Sequence, residues 1–223
     1  MNIQIIEGVE GAQQAKNIAI IIDVLRAATV SAYLLDAGVS SIIPVSSSDD
    51  AFDYKRANSD VLLVGEDRGI KIPGFDIGNS PSEIKQRNDL HGKQVVHRSS
   101  TGTQGLVNAQ NAQQIIFGSF VTAGAILNYL KNQPTQNITL VPMYALEDQL
   151  FAEYLRDHLG DSQPTTIEMI KDRLSQHEWL KTSFLDPNNH NFPEDDFHLS
   201  LEIDVFDFFP VVQEGKIIKS TQL

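Results

Sequence analysis

Residues 61–83 read VLLVGEDRGIKIPGFDIGNSPSE. The apolar run Val61–Val64 predicts a strand, and the segment from Gly65 to Glu83 then holds four glycines, two prolines and six charged residues. A connection this long and this rich in glycine is typical of a functional loop, although a surface loop with scattered charges is the alternative. The segment offers carboxylates for a hard cation and cationic side chains for an anion: Glu66, Asp67, Asp76, Arg68 and Lys71.

Similar apolar runs with β-branched residues recur on both sides of this stretch, at residues 18–22, 41–45, 94–97, 115–117 and 138–141. Segments with helical character lie between most of them, at residues 27–37, 49–56, 80–86, 103–109 and 121–131. Strands and helices that alternate about every 20 residues are typical of βα units. The sequence therefore predicts an α/β fold, with a mainly parallel or mixed sheet flanked by helices in three layers.

The C-terminal third has a weaker pattern. Helices are expected at residues 147–159 and 165–177, a strand, turn and strand at residues 206–218, and a frayed tail after Ser220. We expect one domain, residues 1–223, and leave open a smaller C-terminal subdomain from about residue 147.

The composition excludes several classes of protein. The chain has 223 residues, 41% of them hydrophobic, no cysteine, and a formal net charge of −12. This charge argues against nucleic-acid binding, which depends on clustered lysines and arginines. No apolar run approaches the ~20 residues that cross a bilayer, and the first residues lack a secretory signal, so we expect a cytoplasmic protein without membrane association. A homo-oligomer remains open.

Charged and other polar residues follow three of the predicted strands. Because ligands bind at the carboxyl ends of strands in open α/β sheets, these residues are expected to meet around one site that binds an anion and a metal. Charged strand ends are also common where the chain meets water, which is the alternative. The residues are Asp23, Arg26, Glu66, Asp67, Arg68, Arg98, Ser99 and Ser100.

The segment from Ser99 to Gly105 reads SSTGTQG between a strand and a helix. Its hydroxyls and amides suit a phosphate or sulfonate at a helix N-terminus, and simple helix capping is the alternative. Ser80 and Glu83 are explained by a capping box, whereas Asn79 is a candidate to position a ligand or the loop itself.

Two carboxylates, Glu147 and Asp148, open a predicted helix, where exposure to solvent is the default. A metal role would require both side chains to turn toward the site. Of the six histidines, His97 is the one expected near the site.

Several of these motifs together resemble the 2-phosphosulfolactate phosphatase family, called ComB. The most specific is the string GFDIGNSP from Gly74 to Pro81. The strings DVLRAAT from Asp23 and SSTGT from Ser99 support it, as do the Gly65-Glu66 pair and the ALED segment that ends at Asp148.

The resemblance implies an α/β, Mg²⁺-dependent phosphomonoesterase that removes phosphate from 2-phospho-3-sulfolactate on a route to coenzyme M. Asp23 would be a base, a nucleophile or a metal ligand, with Arg26 and Arg68 as catalytic partners. We expect Glu66 and Asp76 to hold or orient the metal, with Glu147 or Asp148 as further candidate ligands. The expected substrate set is Asn79, Arg98, Ser99, Thr101, Gly102 and Thr103. A catalytically silent relative that binds a small anion or acts as an interaction module is the alternative.

Overall fold

The computed structural model describes residues 2–133, 137–160 and 164–220. The expected frayed tail after Ser220 lies outside these residues. The strands in the described residues are β1 (Asn2–Ile5), β2 (Ile18–Ile22), β3 (Ser41–Val45), β4 (Leu62–Asp67), β5 (Ile70–Lys71), β6 (Gln94–Arg98), β7 (Gln114–Gly118), β8 (Asn137–Pro142), β9 (Pro210–Gln213) and β10 (Lys216–Lys219).

The helices in the same residues are α1 (Gly8–Gln14), α2 (Ala27–Asp36), α3 (Ser48–Ala57), α4 (Pro81–Lys85), α5 (Gly102–Asn108), α6 (Ala123–Lys131), α7 (Leu146–Leu159), α8 (Ile167–Ser175), α9 (Glu178–Ser183) and α10 (Glu194–Ser200). A 3₁₀ turn, Phe120–Thr122, precedes α6. None of the described helices combines the length and the apolar composition that crossing a membrane requires.

The strands form one mixed sheet in the order β1-β8-β2-β7-β9-β10-β3-β6-β4-β5. Strands β1, β8, β2 and β7 are parallel to one another, and so are β3, β6 and β4. The β9–β10 hairpin joins these two groups through three successive antiparallel pairings, so the groups run in opposite directions. The predicted α/β class with a mixed sheet is confirmed.

Opposite directions would place the ends of β2 and β6 far apart in a flat sheet. Five pairings separate the two strands, yet residues that follow them meet. Thr101, which follows β6, donates a hydrogen bond to Asp23, which follows β2.

Strand β2 lies at the centre of the core and is buried along its whole length. Successive side chains of a strand point to opposite faces. Accordingly, Ala19 and Ile21 pack with α1, α2 and α5, whereas Ile18, Ile20 and Ile22 pack with α6, α7 and α8. Helices therefore cover both faces of the sheet. Because strands from both ends of the chain share this sheet, we propose that residues 1–223 form a single domain.

Some elements differ from the sequence prediction. Strand β4 continues to Asp67 and forms a short hairpin with β5, where a loop was expected from Gly65 onward. Gly65 allows this path, because a Cβ there would lie 2.0 Å from the carbonyl oxygen of Arg98 on the neighbouring strand. Strand β9 begins at Pro210, not at Phe206. Elements β1, α1, α9 and α10 were not predicted.

Candidate functional site

A cavity of about 290 Å³ lies where the connections after β2, β4 and β6 meet. Its wall contains two carboxylates, Asp23 and Glu66, and two guanidinium groups, Arg26 and Arg68. Polar and aromatic side chains complete much of the wall: Asn79, Ser100, Thr101, Trp179 and Phe192. The structure thus brings into one cavity charged residues that lie far apart in the sequence.

The side chain of Asp23 is only 4% exposed and is held by two hydrogen bonds. Its Oδ1 accepts from the amide of Ala27 at 2.9 Å, and its Oδ2 accepts from the hydroxyl of Thr101 at 2.7 Å. Burial raises the pKa of Asp23, these hydrogen bonds oppose the shift, and repulsion from Glu66 adds to it. Asp23 is therefore a fixed carboxylate at which a bound cation would be favourable.

Glu66 is held by the loop after β6. Its Oε1 accepts from the amide of Ser100 at 2.6 Å, and its Oε2 accepts from the hydroxyl of the same serine at 3.0 Å and from the amide of Gly69. The carboxylate is thus rigidly oriented while it borders the cavity.

Glu147 and Asp148 are buried, each 2% exposed, so the default of a solvent-exposed helix start was wrong. Oδ1 of Asp148 accepts from the amide of Val24 at 2.7 Å, which places α7 directly behind Asp23. Burial raises the pKa of Glu147 to about 7, and repulsion from Asp23 adds to the shift. Burial also raises the pKa of Asp148 well above its usual range, with repulsion from Glu147 and Asp23.

Arg26 is buried, and its guanidinium donates hydrogen bonds to one carboxylate and two backbone carbonyls. Nη1 donates to Oδ2 of Asp196 at 2.9 Å and to the carbonyl of Asn191 at 3.1 Å, and Nη2 donates to the carbonyl of Gly69 at 3.0 Å. Its Cζ lies 4.9 Å from the ring centroid of Phe192. This places a positive charge at a defined point on the cavity wall.

The other two predicted arginines differ in position. Arg68 is exposed and borders the cavity. Arg98 donates from Nη1 to the carbonyl of Glu66 and to Oδ1 of Asp67 at 3.0 Å. Arg98 therefore ties β6 to β4.

The hydroxyls after β6 serve different partners. The Ser99 hydroxyl accepts a hydrogen bond from the amide of Thr103 at 3.0 Å. In return, the Thr103 hydroxyl accepts from the amide of Ser99 at 3.0 Å and donates to the carbonyl of Ser99. These two residues therefore fix the start of α5. At Gly102 a Cβ would lie 2.7 Å from Oδ2 of Asp23, so only glycine fits without displacing that carboxylate.

Asn79 borders the cavity and also contacts a buried histidine. Its Oδ1 lies 3.0 Å from Nε2 of His97, and Nδ1 of His97 lies 3.3 Å from the hydroxyl of Ser31. Burial lowers the pKa of His97 to about 4, so this histidine is neutral at pH 7. His97 holds Asn79 at the cavity.

Asp76 and Glu83 have structural partners elsewhere. Oδ2 of Asp76 accepts from Nζ of Lys55 at 2.7 Å and from the amide of Leu63 at 2.8 Å. Asp76 thus ties α3 to β4 and lies outside the group around Asp23. Ser80 caps α4 as predicted, but Oε2 of Glu83 accepts from the amide of Gly78 instead of completing a capping box.

Comparison with known proteins bears on this site. A family model described as 2-phosphosulpholactate phosphatase matches residues 3–215. The chain belongs to this family. The resemblance inferred from the sequence motifs is therefore confirmed.

Two relatives in the 2-phosphosulfolactate phosphatase family match along nearly their whole length. A protein of Carboxydothermus hydrogenoformans is 34% identical over 100% of this chain and 99% of its own. A protein of Thermoplasma volcanium is 31% identical over 91% of this chain and 92% of its own. Both are named probable 2-phosphosulfolactate phosphatase.

The carboxylates at the cavity of this family member are the type of ligand that Mg²⁺ prefers. Mg²⁺ prefers oxygen ligands, keeps several waters, and is usually held by one or two carboxylates. Asp23 and Glu66 supply two on the cavity wall, and their mutual repulsion would be relieved by a cation. Across residues 2–133, 137–160 and 164–220, however, no three Asp, Glu or His side chains are grouped to hold one metal ion.

Two cavity residues of the family member, Trp179 and Phe192, and the buried partner of Arg26, Asp196, were missed from the sequence. All three come from the C-terminal third. Asp196 lies in an acidic run at the start of α10 that resembles an ordinary exposed helix terminus. No local signal distinguishes it from Asp195, because its partner Arg26 is 170 residues away in the sequence.

Proposed function

We propose that this chain is a cytoplasmic enzyme that hydrolyses 2-phosphosulfolactate, or a closely related small acidic phosphomonoester, with Mg²⁺ as its cofactor. The observation that carries the proposal is the cavity in which Asp23 and Glu66 face Arg26 and Arg68. A phosphomonoester that also bears acidic groups needs cationic partners, and a divalent cation needs carboxylates. One cavity offers both, in a chain of the 2-phosphosulfolactate phosphatase family.

The substrate side of the cavity is formed by the arginines. Arg26 supplies a guanidinium whose orientation is fixed by its contacts, and Arg68 supplies a second charge from an exposed position. Guanidinium groups suit phosphate and sulfonate oxygens because their donors form a planar fork. We assign to these two residues the neutralisation of the anionic groups of the substrate. Asn79 borders the same space and can donate from its amide nitrogen.

The metal side is formed by the carboxylates. Asp23 and Glu66 would hold Mg²⁺, which supplies electrostatic stabilisation of the phosphoryl oxygens when it is bound. Glu147 and Asp148 lie behind Asp23, and burial and repulsion among these three carboxylates raise the pKa of both, so a nearby cation would favour their ionised forms. We assign a structural role to Asp76, because its carboxylate is paired with Lys55.

Residues of the loop after β6 orient the two carboxylates of the metal side. Thr101 orients Asp23, and Ser100 orients Glu66. Ser99 and Thr103 hold the start of α5, and Arg98 fixes the two strands that carry the loop and Glu66. In this proposal these residues position the carboxylates, and only Thr101 and Ser100 of this group border the cavity.

Phosphate release tests the proposal. Purified protein would be incubated with 2-phospho-3-sulfolactate and with a panel of other small acidic phosphate esters, with Mg²⁺ or with EDTA. We expect release that depends on Mg²⁺. Asp23→Asn should lower turnover by about 100-fold or more, since it removes a charge from the reacting centre. Asp36→Asn makes the same change at an exposed position at the end of α2 and should leave turnover unchanged.

A second measurement reports metal binding without activity. Mg²⁺ should raise the melting temperature of the wild type and of Asp36→Asn, but not of Asp23→Asn, because ligands stabilise the state that binds them. If Asp23→Asn keeps its turnover and only melts earlier, Asp23 has a structural role. If no ester is hydrolysed with any divalent cation while phosphate or sulfate still binds, the chain is a silent anion-binding relative.

A further inference from the structure

We propose that Asp196 is a positioning residue that holds Arg26 at the cavity for the substrate. This inference rests on the proposed function, in which Arg26 binds the anionic groups of the substrate. Asp196 lies on α10 and is 170 residues away from Arg26 in the sequence. It deepens the proposed function by assigning to the C-terminal third a part in substrate affinity.

Asp196 is completely buried, and both of its carboxylate oxygens are occupied. Oδ2 accepts from Nη1 of Arg26 at 2.9 Å. Oδ1 accepts from the hydroxyl of Ser80 at 2.8 Å, and from the amide and the hydroxyl of Ser82 at 2.9 and 2.6 Å. A buried carboxylate persists only with such partners. One side chain therefore fastens the connection after β2 to the starts of α4 and α10.

Arg26 needs such a fixed partner because it has a second space available. Beside the first cavity lies another of about 370 Å³, and Arg26, Gly69 and Asn79 border both. Its remaining contacts are two backbone carbonyls, of Gly69 and Asn191, and aromatic rings. The ion pair with Asp196 is the charged contact among them. A long, flexible arginine without this partner has the room to turn into the neighbouring cavity.

The consequence is a specific effect on substrate affinity. Asp196→Asn keeps the shape of the side chain but removes the charge that holds the guanidinium. The Michaelis constant should rise by about tenfold or more, whereas kcat should fall much less, because the carboxylates around Asp23 are untouched. A purely structural role would lower stability and would not separate the two parameters in this way.

A double-mutant cycle tests the inference. Wild type, Asp196→Asn, Arg26→Ala and the double variant would be compared by the Michaelis constant for 2-phospho-3-sulfolactate. The dissociation constant of inorganic phosphate would be followed by the fluorescence of Trp179, the single tryptophan of the chain, which borders the cavity. If Asp196 acts through Arg26, the double variant is no weaker than Arg26→Ala, within about twofold.

Controls keep the test decisive. Asp195→Asn makes the same charge change one residue away, at an exposed position that borders the neighbouring cavity without a hydrogen bond to Arg26, and should match the wild type in both constants. If Asp196→Asn does not fold, Ser82→Ala loosens the same carboxylate by removing one donor, and it should weaken phosphate binding in the same direction by a smaller factor.

The outcomes separate this inference from the proposed function. Additive losses in the cycle, or unchanged constants in both Asp196→Asn and Ser82→Ala, overturn the role of Asp196 even if the wild type is an active phosphatase. Absence of turnover together with a non-additive cycle in phosphate binding overturns the proposed activity and supports the role of Asp196. A wild type that neither hydrolyses an ester nor binds phosphate overturns both.

Discussion

Replacing Glu147 by glutamine should remove a loss of stability that accompanies rising pH. Burial raises the pKa of Glu147 from 4.5 to about 7, so between these values the folded state carries a proton that the unfolded state has lost. The contribution of Glu147 to stability is therefore greatest below about pH 4.5 and falls as the pH rises through 7. At about 1.4 kcal/mol per pKa unit, Glu147 costs the wild type about 2–3 kcal/mol between pH 5 and pH 8.

Urea unfolding of the metal-free proteins at about pH 5 and pH 8 measures this effect as the difference between the two pH dependences. Comparing wild type with Glu147→Gln cancels the contributions of distant groups, and the difference includes the repulsion between Glu147 and Asp148. Glu153→Gln alters a carboxylate of the same helix that pairs with Arg173 near the surface, so it should retain the pH dependence of the wild type. If Glu147→Gln and the wild type lose the same free energy of unfolding, within about 0.5 kcal/mol, the reasoning from burial is refuted.

Three other variants test neighbouring contacts. Burial lowers the pKa of His97 to about 4, so the folded state favours the neutral imidazole. The contribution of His97 to stability is therefore present above pH 6.5 and is lost as the pH falls toward 4. His97→Gln should remove this acid sensitivity, measured by urea unfolding. Gly102→Ala should lower both melting temperature and turnover, because its Cβ would approach Asp23, whereas Gly160→Ala meets only a backbone carbonyl at 3.3 Å and should change neither. Thr101→Val removes the hydroxyl that donates to Asp23 and should cost about 1–3 kcal/mol of stability, measured by urea unfolding, with a loss of turnover.

Local patterns in the sequence predict much of the fold. Strands β2 and β3 have the bounds that their apolar runs predict, and β2 is apolar on both faces because it is buried along its whole length. The opposite directions of the two parallel groups could not be predicted in this way. They depend on the β9–β10 hairpin, which pairs with β7 and β3 over long sequence distances.

In the candidate site, too, local sequence predicted some residues and missed others. Residues directly after strands, such as Asp23 and Glu66, were predictable because strand ends are where ligands bind. The burial of Glu147 was not, since carboxylates at a helix start usually face water. Asp196 lacked any local signal, because its burial depends on Arg26 and Ser82, which are distant in the sequence.

During synthesis on the ribosome, β9 and β10 emerge after every other described strand, yet they fill the gap between β7 and β3. The nascent chain therefore carries two open strand edges that can pair with wrong partners. At a translation rate of about 5–20 residues per second, this exposure lasts on the order of ten seconds. Deleting β10 should consequently give an aggregating chain, although its residues do not border the cavity.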